Sequence, residues 1–230
     1  MLIEHGGVRL LTDPVLRRRV IHLRRHPPLP EHLPHPDAVL LSHLHYDHLD
    51  LPSLRALGPA VRVLAPRGAG DFLRGAGLEA VEELAPGERA RVGDVAVSAT
   101  PAEHDGGRRP FGPHAQPLGF VTEAGRSVYF AGDTDLFAGM EDLPRVDVAL
   151  LPVAGWGPKL GPGHLDPERA ARAAALLRPR IAVPIHWGTL RVGRRGAWFT
   201  DPPRVFAAQV AERSPEVEVR VLAPLRSLEL

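Results

Sequence analysis

Three histidines and one aspartate fall within six consecutive positions, as His43, His45, Asp47 and His48. Neutral imidazole is the commonest metal ligand, and sets of His and Asp suit zinc and its neighbours. The apolar residues 38–41 just before this group predict a buried strand. Because side chains alternate along a strand, His43 and His45 would share one face and could hold one metal ion.

The second half of this group follows the predicted strand. A turn there can direct Asp47 and His48 at a second point nearby, and residues 49–54 predict the start of a helix that would fix the turn. The alternative is an ordinary polar loop. Four ligand-type residues in six positions argue against that alternative.

Further ligand-type side chains occur where other predicted strands end. His104 follows a predicted hairpin, Asp133 follows the second strand of another hairpin, and His186 follows the apolar residues 181–185. Each is a weak indication alone; Asp133, for example, could simply cap a short segment at 136–140. Together, ligand types at four separate strand ends predict a pre-organised metal site on rigid supports.

The spacing His43-x-His45-x-Asp47-His48 matches the H-x-H-x-D-H signature of the metallo-β-lactamase superfamily. With the later strand-end ligands, nearly the whole chain resembles the branch that contains L-ascorbate-6-phosphate lactonase and N-acylphosphatidylethanolamine phospholipase D. The resemblance implies an α+β fold, the four-layer αββα sandwich of the metallo-β-lactamase type. It also implies a single hydrolase domain over residues 1–230.

The resemblance further implies two divalent ions and a division of the ligands between them. The first ion would be held by His43, His45 and His104. The second would be held by Asp47, His48 and His186, and Asp133 would bridge the two. Zinc is the first expectation and manganese the alternative, because His and Asp ligands accept either. Two such ions lower the pKa of a shared water to about 7, which supplies a hydroxide to hydrolyse an ester, lactone or phosphodiester bond.

The loop at 105–117 directly follows His104 and is rich in Gly, Pro and Arg. Loops of this length and composition tend to be functional or mobile. We expect Arg108 or Arg109 to contact an anionic or phosphate-bearing small-molecule substrate. His114, in the same loop, fits a surface residue slightly better than a site residue.

Two residues are catalytic candidates. Asp47 belongs to the metal motif. His164 stands just before Asp166 and Pro167, which predict a helix N-cap and first helical position. His164 could bind substrate or protonate a leaving group, or it could only hydrogen-bond its own loop. The same loop, from 153 to 163, also holds Trp156 and Lys159.

Residues 17–25 contain five arginines, and a passage rich in Pro and His follows through residue 36. The run could form a basic lip for an anionic substrate or a membrane surface. The short run and the net charge of +1 favour a solvated loop. By the same reasoning no ligand role is assigned to His22, His26, His32 or His35.

Composition bounds the remaining possibilities. The 230 residues are 44% hydrophobic and 24% charged, as in ordinary globular proteins, and the chain has no cysteine for a thiolate metal site. The near-neutral charge argues against a nucleic-acid partner. A nuclease is nevertheless the alternative function, because relatives with this motif cleave RNA. A non-catalytic metal-binding protein is the third alternative, which the complete ligand set disfavours.

The first residues lack the basic-then-apolar order of a signal peptide, and no apolar run is long enough to span a bilayer. We therefore expect a soluble, cytoplasmic protein without a transmembrane segment. The sequence leaves open the substrate and the formation of a homo-oligomer.

Overall fold

A computed structural model describes residues 1–29, 33–193 and 196–229 of the chain. The strands are β1 (Leu2–His5), β2 (Val8–Thr12), β3 (Arg19–Val20), β4 (Leu23–Arg25), β5 (Ala38–Leu40), β6 (Arg62–Pro66), β7 (Val81–Leu84), β8 (Arg89–Val92), β9 (Val95–Pro101), β10 (Leu118–Ala124), β11 (Arg126–Phe130), β12 (Val148–Pro152), β13 (Ile181–Ile185), β14 (Leu190–Arg191) and β15 (Glu218–Val219). The helices are α1 (Leu51–Ala56), α2 (Gly70–Gly75), α3 (Pro167–Leu177), α4 (Ala197–Thr200) and α5 (Pro202–Arg213), with a 3-10 turn at Met140–Asp142.

Two sheets form the centre of the fold. The first has the strand order β1-β2-β5-β6-β7, with a β1–β2 hairpin followed by parallel pairs. The second has the order β15-β13-β12-β11-β10-β9-β8, antiparallel from β8 to β11 and parallel from β11 to β15. The hairpins predicted from the turn residues at 93–94 and 124–125 are therefore confirmed.

Period-two alternation sends successive side chains of each strand into different cores. In β5, Leu40 belongs to the core between the two sheets, whereas Val39 lies in the core under α1 and α2. In β12, Leu150 faces the inter-sheet core and Leu151 lies in the core under α3 and α5. Both sheets are thus covered on both faces, and the αββα sandwich predicted from the resemblance is confirmed.

Helices α1 and α3 begin where the sequence predicts. Asp50 caps α1 by accepting a hydrogen bond from the Ser53 amide at 3.2 Å, and Asp166 caps α3 by accepting from the Arg169 amide at 2.8 Å. Among the helices of the described residues, none has the length and apolar character needed to cross a membrane.

The arginine-rich segment differs from the solvated loop favoured by the sequence. β3 and β4 form a hairpin that pairs with β14 in a separate three-stranded sheet. Its underside carries Val20 and Leu23, which are both buried. Arg17 also anchors this region, donating to Asp50 at 2.8 and 2.5 Å. Strands of two or three residues are too short to show a periodicity, so the sequence could not reveal this sheet.

The two main sheets approach closely where β5, β10 and β11 meet. The Leu118 amide donates to the Ser42 carbonyl at 2.9 Å, which joins the exit of β5 to the start of β10. Gly132 follows β11 with φ of +63°, and a Cβ at this position would lie 2.6 Å from Cβ of Ser42. Only glycine allows this approach, which brings Asp133 towards the residues after β5.

We expect Gly132→Ala to destabilise the protein through two additive effects. Positive φ costs a non-glycine residue about 1–2 kcal/mol, and the contact with Ser42 adds overpacking of about 1–3 kcal/mol. Gly125→Ala is the matched control, because Gly125 has φ of +77° but a Cβ added there would have no atom within 4 Å. Urea unfolding of both variants measures the difference. Equal losses of unfolding free energy would show that the close approach is unimportant.

Candidate metal centre

The first ligand group consists of His43, His45 and His104, whose candidate ligand atoms lie within 4.8 Å of one another. His43 is fully buried, and its Nδ1 lies 2.9 Å from the Ser42 hydroxyl. Nε2 of His104 lies 3.0 Å from Nδ1 of His45. The three rings come from the exits of β5 and β9, strands of different sheets, so this group forms only when the sandwich closes.

The second group consists of Asp47, His48, Asp133 and His186, again within 4.8 Å of one another. Nε2 of His48 lies 3.1 Å from Nε2 of His186 and 3.2 Å from Oδ2 of Asp133. Oδ2 of Asp47 is 3.5 Å from Nε2 of each of these histidines. The structure therefore brings together all seven residues that the resemblance implies as ligands.

Hydrogen bonds at Nδ1 orient three of the histidine rings. His104 donates from Nδ1 to the Gly163 carbonyl at 2.6 Å, and His186 donates from Nδ1 to the Ala154 carbonyl at 2.7 Å. His48 Nδ1 lies 2.7 Å from Asp13 Oδ2. Such contacts fix the tautomer, because the nitrogen that donates to the protein leaves the other one free to bind a metal.

Asp13 is a functional residue that the sequence analysis missed. Its carboxylate accepts hydrogen bonds from the Ser42 amide at 2.8 Å and the Ser42 hydroxyl at 2.5 Å, in addition to its contact with His48. Asp13 has φ of +40°, a left-handed conformation that Asp and Asn tolerate better than most residues. In the sequence it stands before Pro14 and resembles an ordinary turn residue, so only its position in space reveals the role.

His186 also has a left-handed backbone, with φ of +60° directly after β13. Strained backbone at a non-glycine residue persists only where the surrounding structure enforces it, and it is concentrated at functional sites. The Ala154 contact described above and the contacts of Nε2 with Asp47 and His48 provide that enforcement.

The loops that carry Asp133 and His104 are joined by backbone contacts. The Glu103 amide donates to the Thr134 hydroxyl at 2.9 Å, and the Asp135 amide donates to the Glu103 carbonyl at 2.9 Å. The exits of β9 and β11 therefore move as one unit. His104 of the first ligand group and Asp133 of the second are thus held at a fixed separation.

The electrostatics of the two groups differ. Burial opposes a charge on His48, but the carboxylates of Asp133 and Asp47 outweigh it and raise its pKa well above the usual value. The pKa of His43 lies well below its usual value, mainly because the ring is buried and also because the charge of His48 is close by. Burial also lowers the pKa of His45, and it lowers that of His104 to about 4. The first group is therefore composed of neutral imidazoles at neutral pH, as metal ligands must be.

Two buried atoms support the fit of this donor set to metal ions. Nε2 of His43 and Oδ1 of Asp133 have no hydrogen-bond partner among the described residues. A buried polar atom without a protein partner is costly, and a role in binding an ion is one established explanation. Imidazole and carboxylate donors without thiolate match zinc or manganese chemistry.

His164 lies at the edge of this cluster, with its side chain 23% exposed. Its Nε2 is 3.5 Å from Oδ2 of Asp133, and its ring centroid is 4.6 Å from that of His104. Nδ1 donates to the Pro162 carbonyl at 3.0 Å and more weakly to that of Gly161 at 3.2 Å, so Nε2 is the atom available at the centre. His164, His104 and Asp133 form a further set of converging donors.

Arg108 occupies a different place from the expected phosphate contact. Its side chain is 7% exposed, and Nη1 donates to the carbonyls of Leu44 and Leu49 at 2.6 and 3.0 Å. Its guanidinium carbon lies 3.9 Å from the centroid of the Tyr46 ring. The Arg108 guanidinium therefore stabilises the ligand loop 44–49 from its buried side, by donating to backbone carbonyls of the loop that would otherwise lack donors.

Arg109 is exposed and pairs with Asp105 at 3.1 Å. Thus neither arginine shows a described contact with the seven ligands. Five other described histidines lie outside the ligand groups. His5 ends β1, His22 packs against Trp156, and His35 contacts the Pro36 and Leu57 carbonyls. His114 forms a bridge with Gly107, and His26 has a backbone bond to Thr189. His32 lies outside the described residues.

Comparison with known families matches residues 8–187 to the family described as the beta-lactamase superfamily domain. The chain belongs to the metallo-β-lactamase superfamily. This match covers most of the chain and includes all seven candidate ligands. The comparison does not distinguish the branch suggested by the sequence.

Two curated relatives and one solved structure illustrate this superfamily. An uncharacterized protein of Mycobacterium tuberculosis is 34% identical over 97% of this chain and 64% of its own length, so this chain spans less than two thirds of that relative. A protein of Opitutus terrae named UPF0173 metal-dependent hydrolase is 35% identical over 100% of this chain and 95% of its own length. Igni18, a metallo hydrolase of Ignicoccus hospitalis, superposes with a TM-score of 0.72 at 26% identity, over 97% of this chain and 91% of that chain.

In this metallo-β-lactamase superfamily member, Asp13→Asn should weaken metal binding by about 10- to 100-fold. The amide of Asn would direct N–H groups at the Ser42 and His48 donors from which the carboxylate now accepts hydrogen bonds. This would disturb the ring of His48. Asp37→Asn is the control, because Asp37 accepts from the Arg9 amide at 2.7 Å and is exposed. Competition with a chromogenic chelator measures both affinities. Unchanged affinity in Asp13→Asn would exclude this positioning role.

Proposed function

We propose that residues 1–230 form a dinuclear metal-dependent hydrolase domain that cleaves an ester, lactone or phosphodiester bond in a small anionic substrate. The observation that carries the proposal is the convergence of five imidazoles and two carboxylates from four strand ends. The names of the Opitutus and Ignicoccus proteins, a metal-dependent hydrolase and a metallo hydrolase, support the same reaction class.

The donor set divides naturally between two zinc or manganese ions. His43, His45 and His104 would hold the first, and Asp47, His48 and His186 the second. Asp133 suits the bridging position because it belongs to the second ligand group and also converges with His104 and His164. Two divalent ions bound there would acidify a water and polarise the oxygen of the scissile group.

The protein's own contribution is to keep these donors rigid. Hydrogen bonds to Gly163 and Ala154 hold the rings of His104 and His186, so no reorganisation is needed when substrate arrives. Asp47 contributes a second negative charge to the centre, within 3.5 Å of Nε2 of His48 and His186. We assign Asp47 a catalytic role as the carboxylate that belongs to the second ion alone.

His164 is the residue best placed to move a proton. Its Nδ1 is occupied by backbone carbonyls, whereas Nε2 faces Asp133 at 3.5 Å and the side chain is partly exposed. A histidine with one anchored nitrogen and one free nitrogen can donate to the oxygen of a departing alcohol or phosphate. The same atom could also bind the substrate in place.

Metal analysis followed by a substrate screen tests the proposed function. Protein purified without chelator should contain about two divalent ions per chain and hydrolyse at least one ester, lactone or phosphodiester. The rate should rise as pH passes through about 7 and then level off. Folded protein that takes up neither zinc nor manganese would contradict the proposal. So would a rate that falls steadily from about pH 5 to about pH 9 with metal still bound.

His164→Ala separates proton donation from metal binding. Metal content should be unchanged, and turnover of a substrate with a poor leaving group should fall by about 10²-fold or more. A nitrophenyl ester needs no protonation of its leaving group, so the loss should shrink on that substrate. Asp133→Asn is the comparison, because it should release at least one ion and nearly abolish turnover. Loss of metal from His164→Ala would instead identify His164 as a ligand.

A further inference from the structure

The chain contains a single lysine. Of its 28 basic residues, Lys159 is the only one that is not arginine. The two side chains are not equivalent, because the ammonium is a compact charge on a flexible stem, whereas the guanidinium is a broad planar fork. A solvated surface residue is the simple explanation for one lysine, so its location decides whether it has a role.

Lys159 lines a small pocket that adjoins the metal centre. The same pocket is lined by His186, from the second ligand group, and by His164, at the edge of the centre. Its remaining residues are Gly155, Trp156, Gly157, Leu160 and Gly161. A group bound beside Lys159 would therefore lie next to the position where the scissile bond must sit.

The ammonium of Lys159 has no counter-ion within this pocket. None of the lining residues is acidic, and no ion pair among the described residues includes Lys159. Most described ion pairs instead join an arginine to a nearby Asp or Glu, as Arg109 does with Asp105. Lys159 is exposed, and its positive charge is thus available for a ligand.

Two contacts brace the aromatic wall of the pocket. Trp156 is 39% exposed and is braced by His22 of the β3–β4 hairpin, with ring centroids 5.5 Å apart. The Val192 amide donates to the Trp156 carbonyl at 2.9 Å, which ties this loop to the segment after β14. The pocket therefore combines a braced aromatic wall with one unpaired ammonium.

We propose that Lys159 is the specificity residue of this site, binding an anionic group, carboxylate or phosphate, that the substrate carries in addition to its scissile bond. This inference rests on the proposed hydrolase function. It assigns the anion to Lys159 rather than to Arg108 or Arg109, which are engaged by the ligand loop and by Asp105. Substrates without this anion lose the ion pair and are processed poorly.

Matched esters test the proposal on the zinc-loaded protein. Mono-4-nitrophenyl succinate carries a free carboxylate, and its methyl ester is the neutral counterpart with the same leaving group. The 4-nitrophenyl ester of 3-phosphonopropionic acid places a phosphonate at the same end, so the pair of anions distinguishes carboxylate from phosphate recognition. The measured quantity is the ratio of kcat/KM for each anionic ester to that for the neutral ester.

Lys159→Gln should lower this ratio by about 10- to 100-fold, the usual effect of losing a hydrogen bond to a charged group. Lys159→Arg keeps the charge and should recover part of the ratio. Arg204→Gln is the control for net charge, because Arg204 is exposed on α5, which packs on the outer face of the second sheet. A ratio that is unchanged in Lys159→Gln, or that falls equally in Arg204→Gln, would overturn the proposal.

A second measurement does not depend on turnover. Because the chain has one lysine, acetylation of side-chain amines by N-hydroxysuccinimidyl acetate is confined to Lys159 and is followed by mass spectrometry of its peptide. Phenylphosphonate should slow this acetylation several-fold on the zinc-loaded protein, whereas neutral dimethyl phenylphosphonate should not. Equal acetylation rates with both compounds would contradict anion binding at Lys159.

The two measurements separate the failure of each proposal. If no ester is hydrolysed but phenylphosphonate still protects Lys159, the anion site stands and the proposed hydrolase function fails. If esters are hydrolysed and neither the ratio nor the protection depends on Lys159, the hydrolase function stands and the anion site fails.

Discussion

The structure depends on keeping a dense cluster of titratable side chains together where water screens their charges poorly. Two carboxylates and five imidazoles have their ligand atoms packed in sets within 4.8 Å, and three of these residues, His43, His48 and Asp133, are buried. Two of these atoms, His43 Nε2 and Asp133 Oδ1, have no hydrogen-bond partner among the described residues. The surrounding fold must therefore supply enough packing and hydrogen bonding to keep the cluster intact.

The αββα sandwich meets this demand by bringing ligand-bearing strand exits to one edge. Ligands follow β5 in the first sheet and β9, β11 and β13 in the second. The inter-sheet core, which includes Leu40 and Phe120, fixes the separation of the two sheets. Glycine at 132 then allows the exit of β11 to lie against Ser42. Rigidity at the centre is thus a consequence of packing far from it.

A layer of supporting contacts sets the chemistry of each ligand. Asp13 holds both His48 and Ser42, and the Gly163 and Ala154 carbonyls hold His104 and His186. Arg108 supports the ligand loop through its carbonyls. These contacts explain why the three histidines present a defined nitrogen to the centre. Because Arg108 is engaged in this support, we assign substrate recognition to Lys159 in the loop after β12.

The sequence by itself predicted the candidate ligand set, because four ligand-type residues in six positions and three further ones at strand ends form a pattern that resembles one superfamily. It also predicted the main strands, the start of α1 and the cap of α3, since apolar runs and the Asp166-Pro167 pair act through neighbouring residues. Only the tertiary structure decided the roles of Asp13 and Arg108, because their partners lie 29 to 35 and 59 to 64 residues away. It likewise decided that the arginine-rich segment forms a sheet with β14, and that Lys159 lies beside His164 and His186. Long-range pairing of this kind leaves no periodic trace in the chain, so proximity in space had to be observed rather than inferred.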